Sequence, residues 1–216
     1  MSELVCSRPE RARWNLVLAH GAGAPMDSPF MENFATALTQ MGGRVGGVNV
    51  VRFEFAYMVQ RRVSGRRRPP DRGPALLAAY RDVVARVRKR WPRRGLVIGG
   101  KSMGGRIAAM IADELGVDGL ICLGYPFHPP GQPERLRVSH LQGLATQALF
   151  CQGSRDALGN ENEVAGYELA AGIKFCWLED GDHSFKPRQR SGYNLEQHYR
   201  TAQERIIKFL AQLPRH

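Results

Sequence analysis

Leu96-Val97-Ile98-Gly99-Gly100-Lys101-Ser102-Met103-Gly104-Gly105-Arg106 is the stretch on which the reading of this chain turns. A short apolar run, Leu96 to Ile98, gives way to small residues, and beyond Gly105 the apolar positions Ile107, Met110, Ile111 and Leu115 recur at helical spacing. A strand therefore feeds a helix through Gly100-Lys101-Ser102-Met103-Gly104, a G-x-S-x-G turn. Such a turn forces its central serine to positive φ and brings neighbouring backbone so close that flanking side chains are not tolerated. Ser102 is expected to stand at the end of a sheet with its hydroxyl held outward, as a candidate nucleophile.

The turn gains its weight from two residues further along. Asp156 follows the apolar stretch Gln147 to Cys151, and His183 follows Ile173 to Leu178, so both fall just after expected strands. Ser, then Asp, then His is the order that a nucleophile, an orienting acid and a base take along an α/β-hydrolase chain. Asp180 and Asp182 are the alternatives to Asp156, but residues so near His183 in sequence seldom aim side chains at it. His128, His140 and His198 show no metal-ligand spacing such as H-E-x-x-H and are read as structural or exposed. No metal and no cofactor is expected.

Outward from the turn, strands and helices alternate. Asn15 to Ala19 reads as a buried strand running into the small-residue turn His20-Gly21-Ala22-Gly23-Ala24-Pro25. A helix begins at Ser28-Pro29, with Phe30, Phe34 and Leu38 on one face, and ends at Gly42-Gly43. Val48 to Phe53 is a strand, and Glu54 to Gly73 reads as a long basic loop. Pro74 opens a helix that Trp91-Pro92 closes. Leu120 to Leu123, Gln147 to Cys151 and Ile173 to Leu178 are strands, with helices from about Asn160 to Ala171 and from about Asn194 to Leu213. Alternation of this kind implies right-handed crossovers and a mainly parallel sheet covered on both faces.

The 216 residues are read as one domain, 1–216, and 43% apolar content suffices for its core. The first fourteen residues carry Glu3, Arg8, Glu10, Arg11 and Arg13, so no signal-peptide core is expected, and no window is apolar enough to span a bilayer. Cys6, Cys122, Cys151 and Cys176 show no C-x-x-C spacing, which fits a reducing cytoplasm. The net charge of +11 is concentrated in Arg61, Arg62, Arg66, Arg67, Arg68 and Arg72, and again in Arg86 to Arg94. Clusters like these attract anions, but no helix-turn-helix, RRM or zinc-finger pattern accompanies them, so neither a specific nucleic acid nor a membrane is expected as partner. Oligomeric state is not legible.

Gly99-Gly100-Lys101-Ser102-Met103-Gly104-Gly105-Arg106, the His20 to Ala24 loop and Gly181-Asp182-His183-Ser184-Phe185-Lys186 resemble the α/β-hydrolase superfamily, over nearly the whole chain. Within it they look like a compact group of hydrolases related to dienelactone hydrolases and to a chromatin-complex subunit. The resemblance implies an α/β-hydrolase fold of about six mainly parallel strands with helices on both faces, the two leading antiparallel strands of larger members being missing or reduced. It also implies a serine hydrolase. Ser102 attacks, His183 is the base, Asp156 orients it, and the backbone N–H groups of Met103 and Ala22, with Gly23 as the alternative, form the oxyanion hole. Dienelactone hydrolases use a cysteine where Ser102 stands, so their substrate does not transfer with the fold.

Only a short Pro-rich loop lies between Leu123 and Gln147, where larger members insert a lid. An open site is expected, suited to a small or externally presented acyl substrate, an ester or thioester. Pro25, Met26, Tyr125, Phe127 and Phe185 are its expected walls, and Arg155, Lys186, Arg188 and Arg190 would favour an anionic substrate. Lys101 is expected to pair with a carboxylate such as Glu54 or Asp182, and His20 to steady its loop by hydrogen bonds. The contrasting reading is a binding or scaffold module that leaves its triad unused and works through the Arg61 to Arg72 surface.

Overall fold

A computed structural model describes residues 3–214. Its sheet is built from β1 (Leu4–Ser7), β2 (Trp14–Ala19), β3 (Val48–Phe53), β4 (Gly95–Lys101), β5 (Gly119–Leu123), β6 (Ala148–Gly153) and β7 (Ile173–Leu178). In space the order is β1-β3-β2-β4-β5-β6-β7, and only β1, on β3, runs antiparallel. After β2 the chain steps to β3 on one side, then returns to β4 on the other. The loops leaving β2 and β4 therefore part at the carboxyl edge of the sheet, where α/β folds hold their ligands.

The described residues also form seven α-helices: α1 (Pro29–Met41), α2 (Ala56–Ser64), α3 (Gly73–Arg90), α4 (Met103–Ala109), α5 (Ser139–Gln142), α6 (Glu161–Val164) and α7 (Leu195–Gln212). Alternate residues of each central strand serve opposite faces. Leu16 and Leu18 of β2 pack with Phe34 and Leu38 of α1 and with Ile206 and Leu210 of α7. Val17 and Ala19 pack with Tyr80 and Val84 of α3 and with Ile107 and Ala108 of α4. Each large apolar side chain so enclosed contributes about 1.5–3 kcal/mol. With both faces covered, the strands read as unbroken apolar runs, which is why they were legible.

Four expectations need correction. The sheet has seven strands where about six were expected, because Leu4–Ser7 forms one leading antiparallel strand on β3. It is a half-buried edge strand of four residues, too short for its alternation to stand out beside Arg8 to Arg13. The supposed loop Glu54 to Gly73 contains α2, whose Tyr57 and Met58 are buried and whose end is marked by Gly65 at φ 65°. Its arginines masked that narrow apolar face. The expected helix from Asn160 to Ala171 ends at Val164 after an Asn160–Glu163 capping box, with Gly166 close behind. Regular helix after Ser102 stops at Ala109 rather than reaching Leu115, and turns carry the chain on to Gly116. The interval from β5 to β6 holds only the four-residue α5, as expected of a fold with minimal lid.

Candidate active site

Ser102 sits between β4 and α4 at φ 52° and ψ −115°, the strained conformation that the G-x-S-x-G spacing implies. A Cβ at Gly100 or at Gly104 would drive into the carbonyl oxygen of Ala19 on β2, so both positions must be glycine. The turn is thus wedged between β2 and its own helix, and Ser102 N–H is fastened to the Leu123 carbonyl at 3.0 Å. Ser102 keeps partial exposure.

His183 reaches Ser102 from the loop after β7. Its Nε2 lies 2.8 Å from Ser102 Oγ, and its Nδ1 lies 2.7 Å from Asp156 Oδ2. With a carboxylate at Nδ1, that nitrogen carries the proton and Nε2 is left to accept from the serine hydroxyl. Asp156 has no exposed surface. Its Oδ2 also accepts from Gln152 Nε2 at 2.9 Å, and its Oδ1 accepts the Leu158 N–H at 2.8 Å. The buried acid is thereby satisfied on both oxygens and can meet the imidazole in one geometry.

The two alternative acids are engaged elsewhere. Asp180 takes Arg188 through several hydrogen bonds, which hold its carboxyl down at about 2, and Arg155 lies 3.6 Å away. Asp182 Oδ1 accepts the N–H groups of Ser184 and Lys186 at 2.8 and 2.9 Å, so it shapes the turn that presents His183. Asp156 alone of the three aspartates meets the imidazole.

The turn after β4 and the loop after β2 also carry free main-chain donors. Among the described residues, the N–H groups of Met103, Ala22 and Gly23 have no hydrogen-bond acceptor. The Gly21, Ala22 and Gly23 carbonyls of the loop after β2, by contrast, are all engaged. Tyr57 Oη on α2 approaches the Gly21 and Ala22 carbonyls at 3.3 and 3.1 Å, and Arg61 Nη1 donates to the Gly23 carbonyl at 3.0 Å. His20 Nδ1 lies 2.7 Å from the Gly21 carbonyl, while its Nε2 accepts the Phe55 N–H at 3.1 Å. Burial lowers the pKa of His20, so the ring is a neutral brace for the loop.

Of the five expected walls, three are core. Tyr125, Phe127 and Phe185 have no exposed surface. Tyr125 stacks on Phe150 and packs against Phe127, and Phe185 packs on Phe30 and Phe34. Met26 is buried to 9% exposure, with its N–H on Glu54 and its carbonyl on Arg52, and Pro25 keeps partial exposure. Apolar residues beside these loops belong to the core here instead of lining a site. Two of the four flanking cations are also spoken for, Arg188 and Arg155 both by Asp180.

Sequence reasoning missed Tyr57 and Gln152. Gln152 is wholly buried, and it accepts the Tyr125 N–H and donates to Asp156, to the Tyr125 carbonyl and to the Gly159 carbonyl. A glutamine directly after the apolar run of a strand, four residues before Asp156, was the available signal. Lys101 pairs with neither Glu54 nor Asp182; its Nζ donates to the His183 carbonyl at 2.6 Å. Glu54 is taken by Arg62. Among the described residues, no three His, Cys, Asp or Glu side chains cluster as a metal ion requires, and no helix is long and apolar enough to cross a membrane.

A doubly covered parallel sheet, a serine at positive φ on the turn after β4 and a histidine on the loop after β7 together define the α/β-hydrolase class. The chain belongs to that family: the model of the alpha/beta hydrolase domain matches residues 12–211. Among solved structures, it is similar to an α/β serine hydrolase without lid from Xanthomonas campestris, at 22% identity and a TM-score of 0.73, over 100% of this chain and 91% of that one. An α/β serine hydrolase homologue from Coxiella burnetii gives 20% identity and a TM-score of 0.69, over 98% and 90%. A dienelactone hydrolase from Anabaena variabilis gives 18% identity and 0.68, over 94% and 96%. At these identities the likeness is one of fold.

Proposed function

We propose that the protein is a serine hydrolase that transfers an acyl group to water through an acyl-Ser102 intermediate. The observation that carries this reading is the unbroken line Ser102 Oγ, His183 Nε2, His183 Nδ1, Asp156 Oδ2, with links of 2.8 and 2.7 Å. A serine hydroxyl is a poor nucleophile until a neighbouring base takes its proton. His183 Nε2 accepts that proton as Oγ attacks the acyl carbonyl, and Asp156 stabilises the imidazolium that forms. The carbonyl oxygen becomes an oxyanion beside the N–H groups of Met103 and of Ala22, with Gly23 next in line. A preorganised donor of this type is worth about 3–4 kcal/mol in the transition state. Proton return from His183 expels the alcohol or thiol, and water then repeats the sequence on the acyl-enzyme.

The substrate we infer is a small or externally presented carboxylic ester or thioester. The basis is the short β5–β6 interval, which lacks a covering domain, and the burial of the aromatic residues that would have walled an acyl tunnel. The four unpaired cysteines fit a reducing compartment such as the cytoplasm. The test is intact-mass labelling with a fluorophosphonate, comparing native protein with Ser102→Ala and His183→Ala, followed by panels of short esters, thioesters and lactones. Stoichiometric labelling of the native chain that both substitutions abolish is the expected result. A folded native protein that does not label sinks the reading and shifts weight to the Arg61 to Arg72 surface as a binding element.

A further inference from the structure

Lys101 holds a charge in a costly place. Its residue is 9% exposed, and Nζ sits 5.5 and 6.0 Å from the ring centroids of Phe30 and Phe185. Among the described residues no carboxylate forms an ion pair with it; its acceptor is the main-chain carbonyl of His183. Aromatic faces return part of the lost hydration, but a buried ammonium without a counter-ion remains unfavourable. The cost shows in its proton affinity: burial brings Lys101 down from 10.5 to about 8, against the upward pull of Asp156 and Asp182. An apolar side chain of similar length would occupy the same space without that penalty.

What the charge holds gives it a purpose. The loop Asp182 to Lys186 is fastened at several points beyond His183. Asp182 caps it, Phe185 N–H bonds the Asp182 carbonyl at 2.8 Å, and His198 Nδ1 lies 2.7 Å from the Phe185 carbonyl. Phe185 itself stands at φ 72°, so the turn is strained and needs these fastenings. Among the described residues, the bond from Lys101 is the one hydrogen bond to the main chain of His183. Gly124, at φ 65°, leaves room for it, since a Cβ there would lie 2.8 Å from both the His183 carbonyl oxygen and Lys101 Nζ.

We propose that Lys101 is a positioning residue: through the His183 carbonyl its ammonium fixes the peptide that carries the imidazole, so that Nε2 stays aimed at Ser102 Oγ. The proposal rests on the serine-hydrolase reading for its kinetic consequence, but its structural consequence stands alone. A charge-assisted hydrogen bond is roughly twice as strong as a neutral one, so loss of the lysine proton loosens the hold without removing the last N–H donor. The groups that face the ammonium are Asp156 after β6, Asp182 and His183 after β7, and the rings of Phe30 and Phe185, with Tyr199 of α7 packed behind those rings.

Lys101→Met keeps length and volume while removing charge and donor. With 4-nitrophenyl acetate as probe, kcat of the variant is expected to fall about 10- to 100-fold with KM nearly unchanged, as for a misplaced base. Native kcat is expected to decline through about pH 8 as Lys101 loses its proton, and the variant profile to lack that decline. Proton NMR reads the same positioning without turnover. The low-field signal of the His183 Nδ1–H bonded to Asp156, and slow exchange of the Phe185 and Lys186 amides, are expected in the native protein and lost or weakened in Lys101→Met. A variant with native kcat and the native alkaline decline, or with unchanged low-field signal and amide exchange, overturns the proposal. A native protein inert to both ester and fluorophosphonate overturns the hydrolase reading instead, and the NMR comparison still decides the role of Lys101.

Discussion

Substituting Lys101 by Met should change how stability depends on pH, and the structure sets both sign and size. The lysine ionises near 10.5 in an unfolded chain and at about 8 in the folded protein, because burial penalises its charged form. The folded state therefore holds this proton less tightly than the unfolded state, and in that window stability rises with pH. Below about pH 8 the fold carries the whole penalty; as pH climbs past the folded value towards 10.5 the penalty is relieved. Each unit of difference corresponds to about 1.4 kcal/mol, so the native protein gains about 1.4 kcal/mol between pH 7 and pH 9 from this group alone. Lys101→Met has no such group and should show no such gain. Urea unfolding followed by tryptophan fluorescence, at several pH values between those limits, measures it. Taking the difference between native and variant cancels cysteines and tyrosines that titrate in both. The absolute level at pH 7 is less diagnostic, since Met removes a buried charge but also strips the His183 carbonyl of its donor, effects of similar size. Stability curves that run parallel across the range would refute the reasoning, for they would mean that Lys101 is not desolvated in the fold.

Three further outcomes follow from the site. Asp156→Asn presents an amide to three donors, His183 Nδ1–H, Gln152 Nε2 and the Leu158 N–H, and should lower kcat/KM for 4-nitrophenyl acetate about 10³- to 10⁴-fold while circular dichroism stays native. Gly104→Ala pushes a methyl into the Ala19 carbonyl and should cost at least about 3 kcal/mol in urea unfolding or prevent folding, whereas Gly43→Ala, with open space around it, should be nearly neutral. Tyr57→Phe releases the Gly21 and Ala22 carbonyls that its hydroxyl steadies, and should lower kcat about 10-fold with little change in thermal midpoint; an unchanged kcat would show that the loop after β2 needs no brace.

Much of the site could be read in the chain because each of Ser102, Asp156 and His183 sits just past the end of a buried parallel strand. Such strands leave unbroken apolar runs, and the turn after one of them needed glycines at Gly100 and Gly104 that sequence displays directly. The illegible parts share a different character. Tyr125, Phe127 and Phe185 were read as walls because hydrophobicity beside a catalytic loop is the same whether a ring faces substrate or core; only packing against Phe150 or against Phe30 and Phe34 separates the two. Strand β1 was hidden by its four-residue length at the sheet edge, and helix α2 by arginines around a buried face of two residues, Tyr57 and Met58. Lys101 could be flagged as odd but not placed, since its acceptor is a peptide carbonyl 82 positions away, and a carbonyl has no letter in a sequence.

The same distinction explains where the molecule accepts cost. At the carboxyl edge of the sheet His20, Glu54, Lys101, Gln152 and Asp156 are all buried, a set of polar side chains that apolar residues would replace at a gain in stability if folding were the sole requirement. Each is held by bonds to loop backbone around Ser102: His20 to Gly21 and Phe55, Glu54 to Met26, Lys101 to His183, Gln152 to Tyr125 and Gly159, Asp156 to Leu158. The loops are thereby given fixed shapes, because a buried polar group permits few geometries and makes the others expensive. If Ser102 and His183 act as proposed, the rigidity they need comes from the polar half of the interior, and the stability that permits it comes from the apolar half beneath.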